Sequence, residues 1–276
     1  MTVLAKNIDI IKKNSKTFHF ASAFLPKEIK INVLSVYAFC RFYDDSIDEK
    51  YNHDLTLVEK NIKNLKLNQL VINELKKGIN SDDNFKRFQT INELIRYSYR
   101  VAGCVGLLMC ELINVNKQEE KYYAIDLGIA MQLTNICRDI IEDYYNKRIY
   151  IPFEIYPYNK IDKNNTDIKD SINKLISISE LYYDSALKGI QFIPIKSRFS
   201  ILLALRLYQG IGKKIKNNNK LIYLNEANTN RFEKTLIFGR CIIEFILFHL
   251  IPYKKEAHNC NLHEALKNLP FIHEKV

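Results

Sequence analysis

The chain has 276 residues, 47% of them hydrophobic and 12% aromatic, with only 8 glycines and 6 prolines. That content fits a globular protein with a large core, and the scarcity of turn formers excludes an all-β fold built on many tight turns. Its 41 basic and 31 acidic residues leave a net charge of +10; anionic lipid, diphosphate esters and nucleic acid all suit that sign, but no nucleic-acid-binding motif accompanies the lysine-rich runs 60–66 and 213–220, so nucleic acid is not expected as a partner.

In chain order, apolar residues recur with helical periodicity over about residues 5–20, 28–50, 54–78, 84–113, 119–146, 168–191, 196–217 and 229–251. Polar breaks such as Asn52-His53, Ser81-Asp82-Asp83 and 217–219 separate them. The stretch from Ile151-Pro152 to Pro157 reads as a loop, because proline lacks a backbone donor and disfavours helix at the residue before it. No fixed-period repeat, low-complexity tract or flexible linker divides the chain, so one all-α bundle spanning residues 1–276 is expected.

Cysteines 40, 104, 110, 137, 241 and 260 lie mostly in apolar runs, without paired spacing and without a secretory leader. They are expected to be reduced core residues of a cytoplasmic protein. His258, Cys260 and His263 form a metal-like cluster that lacks a fourth ligand at zinc-site spacing. The longest apolar run, from Cys241 to Pro252, contains Glu244 and is too short to span a bilayer. It reads as a terminal core helix.

Two helices carry the chemistry. At about 100° per residue, Tyr37, Arg41, Asp44 and Asp48 fall within one narrow stripe. Gly128, Gln132, Asn135, Asp139 and Asp143 form a second stripe of the same kind. Like charges at i and i+4 repel, and both stripes are flanked by apolar residues, so helix stability alone does not account for them. One reading pairs these carboxylates with Arg41 and Arg138 as ordinary surface ion pairs. The other makes them one shared metal site, and two such stripes favour it. With only oxygen or amide ligands the metal would be Mg²⁺, with Mn²⁺ as a substitute, completed by water and substrate phosphates. The chain has neither a GxxxxGK[ST] loop nor a GxGxxG fingerprint, so a nucleotide is not indicated and NADPH is not expected.

Tyr37 to Arg41 followed by Asp44-Asp45-Ser46-Ile47-Asp48-Glu49 resembles the first aspartate-rich motif of the squalene/phytoene synthase family. Met131 to Asn135, Arg138-Asp139, Glu142-Asp143 and Arg148 to Pro152 resemble the second. Ser15 to Phe18, Tyr97 with Val101 to Gly106, and Tyr208 with Gly210 are weaker matches, and the likeness to bacterial-type phytoene synthases runs from about residue 10 to 235. Where many relatives carry an Asn-Arg-Arg stretch, this chain reads Asn225-Glu226-Ala227.

The resemblance implies an isoprenoid synthase fold with a central apolar cavity. Asp44, Asp48, Asn135, Asp139 and Asp143 would hold Mg²⁺, while Ser15, Thr17, Arg41, Arg138 and Tyr150 would contact the phosphate oxygens of an isoprenoid diphosphate. Phe18, Gln132 and Tyr208 would also meet substrate. Tyr37, Ala38, Tyr97, Val101, Ala102 and Val105 would line the tunnel, with the Tyr37 and Tyr97 rings facing an allylic cation. The implied reaction is head-to-head condensation of two geranylgeranyl diphosphates to phytoene through a cyclopropylcarbinyl diphosphate. The alternatives are a squalene or dehydrosqualene synthase acting on farnesyl diphosphate and, with all four key aspartates against it, a non-catalytic assembly factor. Lipid substrates and a basic surface also imply reversible peripheral contact with membranes.

Overall fold

The computed structural model describes residues 15–47, 55–162, 164–224, 227–250 and 256–273. Asp48 and the first 14 residues lie outside them, as do Asn225 and Glu226. The described residues form helices and connecting loops with no strand: α1 (Lys16–Ser22), α2 (Lys27–Ile47), α3 (Leu55–Asn64), α4 (Gln69–Asn80), α5 (Ile91–Ser98), α6 (Cys104–Leu112), α7 (Gln118–Tyr145), α8 (Thr166–Gly189), α9 (Ile195–Asn217), α10 (Lys220–Tyr223) and α11 (Arg231–Leu250). A π-helical turn, Tyr99–Gly103, joins α5 to α6, and a 3₁₀ segment, Cys260–Leu266, lies near the C-terminus.

Local chemistry sets several boundaries. The Oγ of Ser15 accepts the Phe18 N–H and starts α1. Asn68 caps α4, and Thr90 caps α5. The expected 54–78 helix is interrupted because Lys66 takes a left-handed φ of 53° before the Asn68 cap restarts the chain. The expected 84–113 helix begins only at Ile91. Phe88 and Gln89 instead use their carbonyls to accept N–H bonds from Phe153 and Glu154 in the proline loop.

The 28-residue α7 runs through the bundle, packed by α5, the π turn, α6, α8, α9 and α10. Its approach to the preceding hairpin partner depends on glycine. A Cβ at Gly128 would lie 2.3 Å from the Ala102 carbonyl oxygen, and one at Gly106 would lie 2.2 Å from that of Ala124. These two contacts also show that α6 and α7 run antiparallel.

The terminal helix is only half core. Cys241 of α11 is fully buried, and Phe238 packs against Phe20, Phe24 and Phe199. Phe232, Leu236, Ile243 and Leu250 stay 59–72% exposed along its other face. No helix among the described residues is long and apolar enough to cross a membrane. All six cysteines are thiols; Cys260, contrary to the core expectation, is exposed.

Candidate active site

A cavity of about 300 Å³ lies between α1, α2, α6, α7, α8 and α9, with an overwhelmingly apolar lining. Tyr37 and Cys40 of α2 meet Gln132 and Asn135 of α7 on its wall, and Tyr208 of α9 joins them. The two acidic stripes therefore share one cavity. Asp44 follows Tyr37 by two helical turns, and Asp139 and Asp143 follow Asn135 by one and two, at about 5.4 Å per turn. The aspartates thus stand beyond the lining residues, at one end of the apolar chamber.

Ser15, Tyr208 and Tyr37 draw together at that end. The Ser15 and Tyr208 hydroxyls are 3.4 Å apart, and Phe18 stacks on Tyr37 with ring centroids 5.1 Å apart. Ser15 is thus a helix cap and a site residue at once. Thr17 is buried beside it. Burial, reinforced by Tyr208, raises the Tyr37 phenol, and burial also pushes the Cys40 thiol up to about 12, so both stay protonated at neutral pH.

Both arginines engage their neighbouring aspartates. Arg41 Nη1 donates to Asp44 Oδ2 at 3.4 Å, and Arg138 Nε donates to Asp139 Oδ1 at 2.6 Å. The ion-pair reading is therefore present in part, but it does not account for Asp143. Burial, followed by repulsion from Asp139, Glu142 and Asp82, pushes that carboxyl up to about 8, with only partial relief from Arg148. Asn135 Oδ1 is buried and has no hydrogen-bond partner among the described residues. An excess of hard-oxygen ligands and an orphaned amide oxygen on one stripe fit a divalent cation of the Mg²⁺ type.

Two expected lining residues are placed differently. Val101, Ala102 and Val105 line the cavity, whereas Ala38 is buried elsewhere in the core. Tyr97 also stands off the cavity wall, its ring stacked on that of Tyr150 with centroids 5.4 Å apart. Their hydroxyls donate to Asp82, Tyr97 to Oδ2 at 2.7 Å and Tyr150 to Oδ1 at 2.9 Å. Asp82 itself escapes a reading by periodicity, since it sits in a turn between helices and resembles an ordinary polar break. Its burial, at 6% exposure, and its field on Asp143 make it part of the acidic end. Only the pair of Tyr97 and Tyr150, residues 53 positions apart, could have hinted at a shared acceptor.

Residues 11–70 and 55–233 match the squalene/phytoene synthase family. The chain belongs to that family. This family member is 31% identical over 242 residues to the 4,4'-diapophytoene synthase of Staphylococcus haemolyticus, covering 73% of this chain and 83% of that protein. It is 28% identical over 260 residues to the 15-cis-phytoene synthase of Enterobacter agglomerans, covering 80% and 88%. A crystal structure of a dehydrosqualene synthase in complex with a ligand superposes with a TM-score of 0.79 at 26% identity, over 88% of this chain and 96% of that one. The fold is that of the isoprenoid synthases, and the protein is a prenyltransferase of a family that binds isoprenoid diphosphates.

Proposed function

We propose that this family member joins two molecules of geranylgeranyl diphosphate head to head to give phytoene. The observation that carries the reading is an apolar cavity walled at one end by Tyr37, Gln132 and Asn135 from the two aspartate helices. A long hydrocarbon fits the chamber, and a diphosphate fits its acidic, arginine-bearing end. The phytoene synthases among its relatives favour the twenty-carbon substrate.

Asp44, Asp48, Asn135, Asp139 and Asp143 would hold Mg²⁺, which when bound would supply the electrostatic pull that makes diphosphate a leaving group. Arg41, on the first stripe, and Arg138, next to Asp139 in the chain, donate to phosphate oxygens, as does the Ser15 hydroxyl. The first carbon–oxygen bond breaks with its electron pair leaving on diphosphate. The double bond of the second substrate then attacks, and loss of a proton closes a cyclopropylcarbinyl diphosphate; its own carbon–oxygen bond then breaks with the electron pair leaving on the second diphosphate, and rearrangement with loss of another proton gives phytoene. The apolar wall keeps water from the allylic cation, and the Tyr37 ring offers it a π face. Tyr150 and Tyr97 act here through Asp82, as supports of the acidic end.

A second reading is condensation of farnesyl diphosphate to dehydrosqualene, favoured by the diapophytoene synthase at 31% identity. Incubation of purified protein with Mg²⁺ and each diphosphate, followed by chromatography of the hydrocarbon, separates the two. Phytoene as the main product is expected. A thirty-carbon product would transfer the assignment to the farnesyl substrate, and no hydrocarbon from either would revive the assembly-factor alternative.

Peripheral membrane contact belongs to the same proposal. The exposed apolar stripe of α11 and the net charge of +10 suit an anionic bilayer. Flotation with anionic vesicles at low salt should carry the protein, and Ile243→Glu should release it. Equal flotation of both proteins would place the contact elsewhere.

A further inference from the structure

The residues after α11 return to the bundle and bring an unusual set of side chains onto the N-terminal part of α7. Asp126 of that helix is fully buried. His258 Nε2 lies 2.7 Å from one carboxylate oxygen, and His263 Nε2 lies 2.8 Å from the other. The two histidine side chains are 2% and 1% exposed. The ligand atoms of all three residues lie within 4.8 Å of one another, a spacing that one ion with bonds of about 2.0–2.2 Å can bridge after small adjustments.

We infer that Asp126, His258 and His263 form a binding site for a divalent transition metal of the zinc class, separate from the acidic end of the cavity. The spacing of the two histidines, with four residues between them, is one that zinc sites use. Two neutral imidazoles and one carboxylate are borderline ligands that favour zinc over Mg²⁺. With neutral imidazoles, the buried Asp126 charge has no cation to balance it, which an ion of charge +2 would provide.

The surrounding contacts fit that role. His258 Nδ1 is 2.8 Å from His273 Nε2, the kind of outer bond that orients a metal-bound imidazole. With a metal on His258 Nε2, the ring proton sits on Nδ1, which can donate to His273 Nε2, so this contact is kept. His263 Nδ1 is buried with no hydrogen-bond partner among the described residues, so of the two rings only His258 carries such an outer bond. Three protein ligands leave one position of a tetrahedral ion for water.

Asp126 precedes Asp139 by 13 residues on α7, a separation of about 20 Å along the helix. The site is therefore distinct from the proposed Mg²⁺ centre. It lies behind the other end of the cavity, where the wall residue Tyr123 donates to the Glu256 carbonyl at 3.0 Å and packs its ring 5.2 Å from His258. A metal here would clamp residues 256–273 to the bundle and fix that wall.

His258 is shared with a second, more exposed grouping that includes Cys260 and His273, so the experiment must tell the two apart. The full-length protein is stripped with a chelator, dialysed and titrated with Zn²⁺ against a chromophoric competitor, and its Co²⁺ form is followed by absorption. One zinc per chain is expected, with a Co²⁺ spectrum lacking a thiolate charge-transfer band. His263→Ala and Asp126→Asn should abolish saturable binding, and His273→Ala should weaken it about tenfold. Asp139→Ala and Cys260→Ser should retain it. Absence of stoichiometric binding by the folded wild-type chain would overturn the inference even if the variants fail to fold. A thiolate band, or zinc binding lost with Asp139→Ala, would overturn it as well.

Discussion

Asp143 bears the electrostatic load of the acidic end, because burial and three neighbouring carboxylates push its carboxyl from 3.8 up to about 8. Without a divalent cation, the folded state then binds more protons than the unfolded state between those values. Stability should therefore fall as pH rises from about 4 to about 8. Thermal unfolding in chelator should show this fall, and added Mg²⁺ should flatten it. Asp143→Asn should stabilise the metal-free protein by about 0.5–2 kcal/mol while abolishing turnover. A less stable Asp143→Asn variant would remove the electrostatic account. Asp82 has the opposite character. Asp82→Ala leaves the buried Tyr97 and Tyr150 hydroxyls without their acceptor, at a cost of about 1–3 kcal/mol each. Urea denaturation measures that loss, and a change below about 0.5 kcal/mol would show that the two tyrosines find other partners.

At the scale of elements, two glycines that look alike in sequence should respond in opposite ways. Gly128→Ala drives a methyl group into the Ala102 carbonyl and must separate α7 from the π turn. A loss of about 2 kcal/mol or more is expected, together with lowered activity. A Cβ at Gly239 of α11 would meet nothing within 4 Å, so Gly239→Ala should stabilise by about 0.5–1 kcal/mol. Differential scanning calorimetry of the pair tests the contrast, and matching shifts would contradict it. Most helices were legible in the sequence because their apolar period persists for many turns. The breaks at Lys66 and before Ile91 were not, since one depends on a single left-handed residue and the other on hydrogen bonds to a loop more than 60 residues away.

Across the whole molecule, the cavity decides how long a hydrocarbon the protein can hold, because a packed interior does not yield to additional isoprene units. Ala102 lies on its wall and Ala38 does not. Ala102→Phe should therefore depress turnover of geranylgeranyl diphosphate more than that of farnesyl diphosphate. Ala38→Phe overpacks the core instead, should cost about 1–3 kcal/mol, and should lower both rates together. Rates on both substrates, measured for variants shown to be folded, check this. Equal losses in Ala102→Phe would take that residue out of chain-length control.

The amino-acid sequence by itself determined the helical class, the family and the two acidic stripes. Each follows from local spacing: an apolar period near 3.6 makes a helix, and residues four apart share its face. Ser15, Arg41, Arg138 and Asn135 could be named from their motifs for the same reason. The tertiary structure alone decided that Tyr97 and Tyr150 turn from the cavity toward Asp82 and that half of α11 faces outward. It also brought His258 and His263 onto Asp126, more than 130 residues away in the chain. No local pattern encodes those meetings, because burial of a carboxylate and convergence of distant side chains depend on how helices pack, and packing is settled by volume and charge balance over the whole core.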